Sequence, residues 1–213
     1  MPNALNTMTP QQQILKHKLV AIIRGANPAD VLKIANALHK GGVRLLEVTL
    51  NSPGALPVIE QLSGEMNGDM LIGAGTVLDA AAAREAIVAG ARFIISPIMD
   101  KKIIKATRRY GAVSIPGAYT PTEVLEAYVQ GGEIIKVFPA LGAGYIKELL
   151  APLPHLPLMP TGGINLQNIR DFQKAGAVAF GIGSALFDAR QPITDDSLQR
   201  LTENAQQLVN ALT

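Results

Sequence analysis

A glycine followed at once by an apolar run recurs along this chain, in HKGGVRLLEV, VAGARFIIS, RYGAVSIP, QGGEIIKVF and KAGAVAFGI. Gly90, Gly111 and Gly132 stand 21 residues apart, and Gly176 follows Gly132 by 44, about two such units. Glycine suits the left-handed position that ends a helix, so the repeat has a physical cause. Each unit closes one helix and opens one strand.

Eight apolar runs answer to this pattern: 19–24, 44–50, 70–76, 92–97, 112–117, 133–139, 157–163 and 177–184. Amphipathic segments such as PADVLKIANALHK and TPTEVLEAYVQ lie between them. In the second of these, Thr120 stands as N-cap, Pro121 at the first helical position and Glu123 at the third, a capping box. Eight parallel strands with helical crossovers predict an α/β fold, a (β/α)8 TIM barrel. A doubly wound open sheet is the architectural alternative. The leading TPQQQILKHK predicts an extra helix under the barrel, making residues 1–18 an N-terminal helical extension. No linker interrupts the pattern, so residues 1–213 read as a single domain.

Composition narrows the function. At a formal charge of +2, with no basic run carrying aromatics, nucleic acid is not an expected partner. The chain has no cysteine, which removes disulfides and thiolate chemistry. Its first residues lack the pattern of a signal peptide, and no run approaches the roughly 20 apolar residues of a membrane span. A cytoplasmic protein without membrane contact is expected.

In such a barrel, alternate strand residues point inward and chemistry gathers at the C-terminal strand ends. EIIKVFPA carries Lys136, the only one of ten lysines inside a predicted strand. It shares parity with Ile134 and Phe138, and its place late in the strand favours the inward face. The plain alternative is an outward lysine snorkelling between helices. Glu47, in RLLEVTL, shares parity with Leu45 and Thr49, and catalysis competes here with a merely structural ion pair. Together the two residues suggest Schiff-base chemistry. A buried lysine keeps some neutral amine to attack a carbonyl, and a nearby glutamate moves the protons. Two glycine clusters, PTGGIN (160–165) and GIGSALF (181–187), close the seventh and eighth strands. Free backbone amides there, aided by the helix starts that follow, suit a phosphate; tight turns without a ligand are the alternative.

The motifs GGVRLLEVTL, IGAGTVL, FIISP, IPGAYTPTE, IKVFPA, PTGGIN and GIGSALF, in this order, resemble those of the class I 2-keto-3-deoxy-6-phosphogluconate (KDPG) / 4-hydroxy-2-oxoglutarate aldolases over residues 14–212. The resemblance implies cleavage of KDPG to pyruvate and glyceraldehyde 3-phosphate, with 4-hydroxy-2-oxoglutarate, giving pyruvate and glyoxylate, as a further substrate. It implies a homotrimer that needs neither metal nor cofactor, and a place in Entner-Doudoroff carbohydrate metabolism. Lys136 then corresponds to the Schiff-base nucleophile and Glu47 to the general acid/base working through water. Thr76 contacts the pyruvate part, Pro97 and Phe138 wall it, and Thr161, Gly162, Gly163, Gly183 and Ser184 line the phosphate end, Thr161 nearest the sugar hydroxyls. Many members read EVTLR, with an arginine for the substrate carboxylate, where this chain has Asn51. Arg24, in AIIRG, is the residue expected to take that role; a rim arginine paired to a helix acid is the competing reading. LNSP also occurs in relatives acting on the galactonate epimer, whereas Thr161 favours the gluconate. Two rivals remain: an isomerase or epimerase barrel that forms no imine, and a non-catalytic phosphate-binding or assembly barrel.

Overall fold

The computed structural model describes residues 8–213; residues 1–7 of the expected N-terminal extension lie outside it. The apolar runs become the strands β1 (Leu19–Ile23), β2 (Leu45–Thr49), β3 (Leu71–Gly75), β4 (Phe93–Ile95), β5 (Val113–Ile115), β6 (Gly117–Ala118), β7 (Ile135–Val137), β8 (Leu158–Pro160) and β9 (Phe180–Ile182). The helices are α1 (Pro10–His17), α2 (Val31–Lys40), α3 (Ala55–Glu65), α4 (Ala80–Val88), α5 (Lys101–Arg109), α6 (Pro121–Val129), α7 (Ala143–Leu150), α8 (Ile169–Lys174) and α9 (Asp195–Leu212). Among the described residues, no helix is long and apolar enough to cross a membrane.

The strands pair in parallel in two sections, β5-β4-β3-β2-β1-β9 and β6-β7-β8. The architecture is α/β with a curled parallel sheet in two sections, and the closed eight-strand ring expected from the sequence is not seen as one continuous ladder. One break has a simple cause. The run 112–117 was expected as one strand, but Pro116 has no N–H to give the ladder, so β5 ends before it and β6 starts after it. Bonds still cross from one section to the other. Glu133 and Lys136 donate backbone N–H groups to Ser114 and Pro116, each at 2.9 Å, and Val178 donates to Leu158 at 3.0 Å. Thr161 bridges in parallel to Gly181.

Local chemistry fixes the helices much as the sequence suggests. Thr120 caps α6 with the expected capping box, and Thr9 does the same for α1. The left-handed glycines after helices include Gly90, Gly111 and Gly176, but before β7 the residue at φ 103° is Gly131, not Gly132. The evenly spaced set therefore slips by one residue there. The last helix, α9, packs on α2 at Gly41, where an added Cβ would lie 2.6 Å from that of Ala205. At its C-terminus, Lys18, Arg170 and Gln173 donate to the carbonyls of Ala211 and Leu212 over 3.2–3.4 Å. Two of these are cations at the negative end of the helix dipole.

Burial splits along the strands by parity. Leu46, Val48, Ile135 and Val137 join the large apolar cluster between strands and helices. Val20, Leu45, Leu71, Phe93, Ile95, Val113, Ile115, Ile134, Met159 and Ala179 form a second cluster within the curl of the sheet. Ile14 of α1 belongs to this inner cluster and is fully buried. So α1 packs Ile14 against the layer inside the curl.

Candidate active site

Parity decides which side chains enter the curl. Lys136 alternates with inner Ile134 against outer Ile135 and Val137, and it is 5% exposed. Glu47 alternates with inner Leu45 and is 1% exposed. The snorkelling alternative for Lys136 therefore fails. Glu47 on β2 and Lys136 on β7 thus both face the interior, where each lies within the other's electrostatic field.

Neither Glu47 oxygen has a hydrogen-bond partner. Among the described residues, no ion pair joins it to a cation. Burial pushes its pKa up from the usual 4.5, and the nearby charges of Lys136 and Arg24 offset only part of this. Burial likewise lowers the Lys136 pKa from 10.5, against the pull of Glu47 and with help from Arg24. The structural ion pair weighed for Glu47 is absent. Instead, desolvation drives acid and amine toward their neutral forms while leaving each within reach of the other's field. Besides the field of Glu47, the ammonium has the ring of Phe138, 5.1 Å from Nζ to its centroid.

Room for the glutamate comes from a neighbouring strand that presents no side chain. A methyl group at Gly75 would collide with Glu47 Oε1, and one at Gly73 would collide with the Phe93 ring. These two glycines alternate in MLIGAGT, the sequence signal of a strand closely approached from one face. Thr76, which follows, holds φ at 56°, a left-handed conformation rare for a β-branched residue. Such strain, on the order of 1–3 kcal/mol, collects where backbone geometry is imposed by function.

The remaining candidates follow the C-terminal ends of the strands. Pro97 is half-buried, and the backbone of Gly117 packs against it so tightly that no Cβ would fit. Phe138 is 43% exposed, and Gly162 approaches its ring, since a Cβ there would stand 3.3 Å from Cε2. Thr161 is buried, with its hydroxyl against Gly181 and 3.5 Å from the Met159 carbonyl. Among the described residues, the amides of Gly162, Gly163, Gly183 and Ser184 donate to no acceptor. After Gly183 the chain makes one turn, closed by Leu186 and Phe187 donating to its carbonyl. This turn replaces the helix start expected there.

Arg24 follows β1 on the same rim and is exposed. Among the described residues no acid pairs with it, so the helix-acid alternative is not seen. Asn51 is exposed as well. The residue beside it, Ser52, makes the contacts in this loop and was missed in the sequence. Chemically, the C-terminal strand ends bring together a buried amine, a buried carboxylate and, among the described residues, a guanidinium without an ion pair and four backbone amides without an acceptor.

A model of the KDPG and KHG aldolases matches residues 11–203. The chain is 38% identical over 168 residues to a 2-dehydro-3-deoxy-phosphogluconate aldolase of Haemophilus influenzae, covering 76% of this chain and 79% of that one. It is 35% identical over 176 residues to a probable 2-dehydro-3-deoxy-6-phosphogalactonate aldolase of Rhizobium meliloti, covering 81% and 83%. Among solved structures, the KDPG aldolase of Legionella pneumophila, with pyruvate captured as a covalent carbinolamine, superposes with a TM-score of 0.74 at 27% identity, covering 96% of this chain and 97% of that one.

Proposed function

The chain belongs to the KDPG and KHG aldolase family, and from that premise we propose that it is a class I aldolase cleaving KDPG to pyruvate and glyceraldehyde 3-phosphate. The observation that carries the reading is the buried Lys136 beside a buried, partnerless Glu47, each within the other's electrostatic field. Neutral Lys136 attacks the C2 ketone, forming an N–C bond and a carbinolamine. Glu47 returns a proton to the oxygen, which leaves as water and gives the iminium. As carboxylate, Glu47 then takes the C4 hydroxyl proton, through water, while the C3–C4 electrons flow into the iminium. The aldehyde departs and an enamine remains. Protonation at C3 and hydrolysis release pyruvate and regenerate the amine. A group that both gives and takes protons works best with its pKa drawn toward the operating pH, which burial does for Glu47.

Around this centre Arg24 takes the substrate carboxylate as a bidentate donor. Thr76, Pro97 and Phe138 hold the pyruvate part. The free amides of Gly162, Gly163, Gly183 and Ser184 receive the phosphate, with Thr161 facing the sugar hydroxyls. We read the two sheet sections as one (β/α)8 barrel, which the bonds from β7 to Ser114 and Pro116 and from Val178 to Leu158 support. A single domain, a homotrimer and a cytoplasmic location belong to the same proposal. Asn51 in LNSP, together with the similarity to a galactonate-type relative, favours a second reading, the galactonate epimer as substrate.

Incubation with pyruvate, reduction by borohydride and peptide mass mapping tests the mechanism: an adduct on Lys136 is expected, and none there would overturn it. Parallel assays on the gluconate and galactonate phosphates separate the two substrate readings. The strand that makes room for Glu47 gives a further expectation. Gly75→Ala displaces the carboxylate and lowers kcat on the order of 100-fold, the cost of a shift of about 1 Å in a catalytic group. Circular dichroism should stay native. Wild-type kcat in that variant would mean that Glu47 does not need its present place.

A further inference from the structure

Arg24 has no side-chain partner among the described residues, and it stands on an exposed turn. A free arginine on a rim loop loses much freedom on clamping a carboxylate, which weakens binding unless the backbone beneath it is already fixed. That backbone is fixed at one place. Gly25, left-handed at φ 70°, donates its N–H to Ser52 Oγ at 2.8 Å. Ser52 Oγ in turn lies 2.9 Å from Thr49 Oγ1, and Ser52 N–H donates to the Thr49 carbonyl at 2.9 Å. Thr49 is fully buried at the end of β2, two residues beyond Glu47 on the same face. The two loops also touch at Pro28, whose Cγ stands 3.3 Å from where a Cβ of Gly54 would be.

We propose that Ser52 is a positioning residue, tying the Arg24–Gly25 turn to β2 so that the guanidinium is aimed at the substrate carboxylate. The proposal rests on the carboxylate role given to Arg24 above. Its hydroxyl joins the rigid strand that carries the proton-transfer group to the mobile-ended side chain that grips the substrate. The spacing between the Glu47 strand and the Arg24–Gly25 turn is thereby held through one oxygen atom. In LNSP it is the serine, not the asparagine, that acts on the carboxylate end.

The test is steady-state kinetics on Ser52→Ala, Ser52→Thr, Arg24→Ala and the double variant Arg24→Ala/Ser52→Ala. Loss of one such tie should raise KM about three- to tenfold in Ser52→Ala, with the effect in KM rather than kcat. Ser52→Thr, which keeps the hydroxyl, should recover most of it. The double variant should match Arg24→Ala alone, because Ser52 acts through that residue. An unchanged KM in Ser52→Ala, or a full extra factor in the double variant, overturns the positioning role while Arg24 keeps its own. An unchanged KM in Arg24→Ala overturns the carboxylate role itself, and the proposal with it. A lowered melting temperature in Ser52→Ala with unchanged KM would mark the contact as structural only and overturn the proposal.

Discussion

Lys136→Ala is expected to lose roughly 10⁴-fold or more in turnover, the scale on which removing a covalent nucleophile acts. The pyruvate adduct should vanish with it. Folding should survive, because the ammonium contributes nothing that holds the strands together. It has no ion pair among the described residues, only the Phe138 ring at 5.1 Å. Lys136→Met separates charge from bulk, since it keeps an apolar stem and leaves no large cavity. Because burial lowers the lysine pKa, the folded state is penalised wherever free lysine would be charged. The gain in melting temperature of Lys136→Met should therefore be absent above pH 10.5. It should grow as the pH falls from there toward the lowered value, then stay constant. A methionine variant that unfolds instead would give the lysine a structural role.

Glu47→Gln should cost about 10² to 10⁴ in kcat, the range for a lost general acid/base. Its influence on the lysine gives a second, independent reading. The glutamate field raises the Lys136 pKa against burial, so its loss lets that pKa fall further. In the pH profile of kcat/KM, the limb due to the lysine should move to lower pH, and the glutamate limb should disappear. For stability the sign is opposite to that of the lysine. The Glu47 pKa is raised, so folded and unfolded forms are equally protonated below pH 4.5, and the penalty grows as the pH climbs from 4.5 to the raised value, then stays constant. Glu47→Gln should match wild type in acid and melt higher at neutral pH. Activity within tenfold of wild type would reduce Glu47 to a spectator.

How much of this could be read from residues alone depends on range. Strand positions and the inward parity of Lys136 followed from alternation, a property of nearest neighbours in the chain. Ile134 and Ile135 do fall in different clusters. The capping box at Thr120 is equally local. The interruption at Pro116 was legible in principle, from its missing N–H, but apolar character masked it. Gly131 and Gly132 are chemically identical, and only backbone geometry distinguishes the left-handed one. The Ser52 bond to Gly25 spans 27 residues and depends on two loops meeting, which no spacing rule foretells. The glycine clusters were legible from composition at two strand ends and Arg24 entered through family resemblance, whereas the space at Gly75 needed the position of Glu47 in three dimensions.

The inner apolar cluster joined by Ile14 has a kinetic consequence. In the proposed mechanism, with Ile14 buried in that layer, substrate enters and products leave at the C-terminal strand ends. The aldehyde is free once the C3–C4 bond breaks, whereas pyruvate stays joined to Lys136 until the imine is hydrolysed. Release order in that mechanism is therefore aldehyde first, pyruvate last. The same order makes the reverse reaction, carbon–carbon bond synthesis, a natural use of the site.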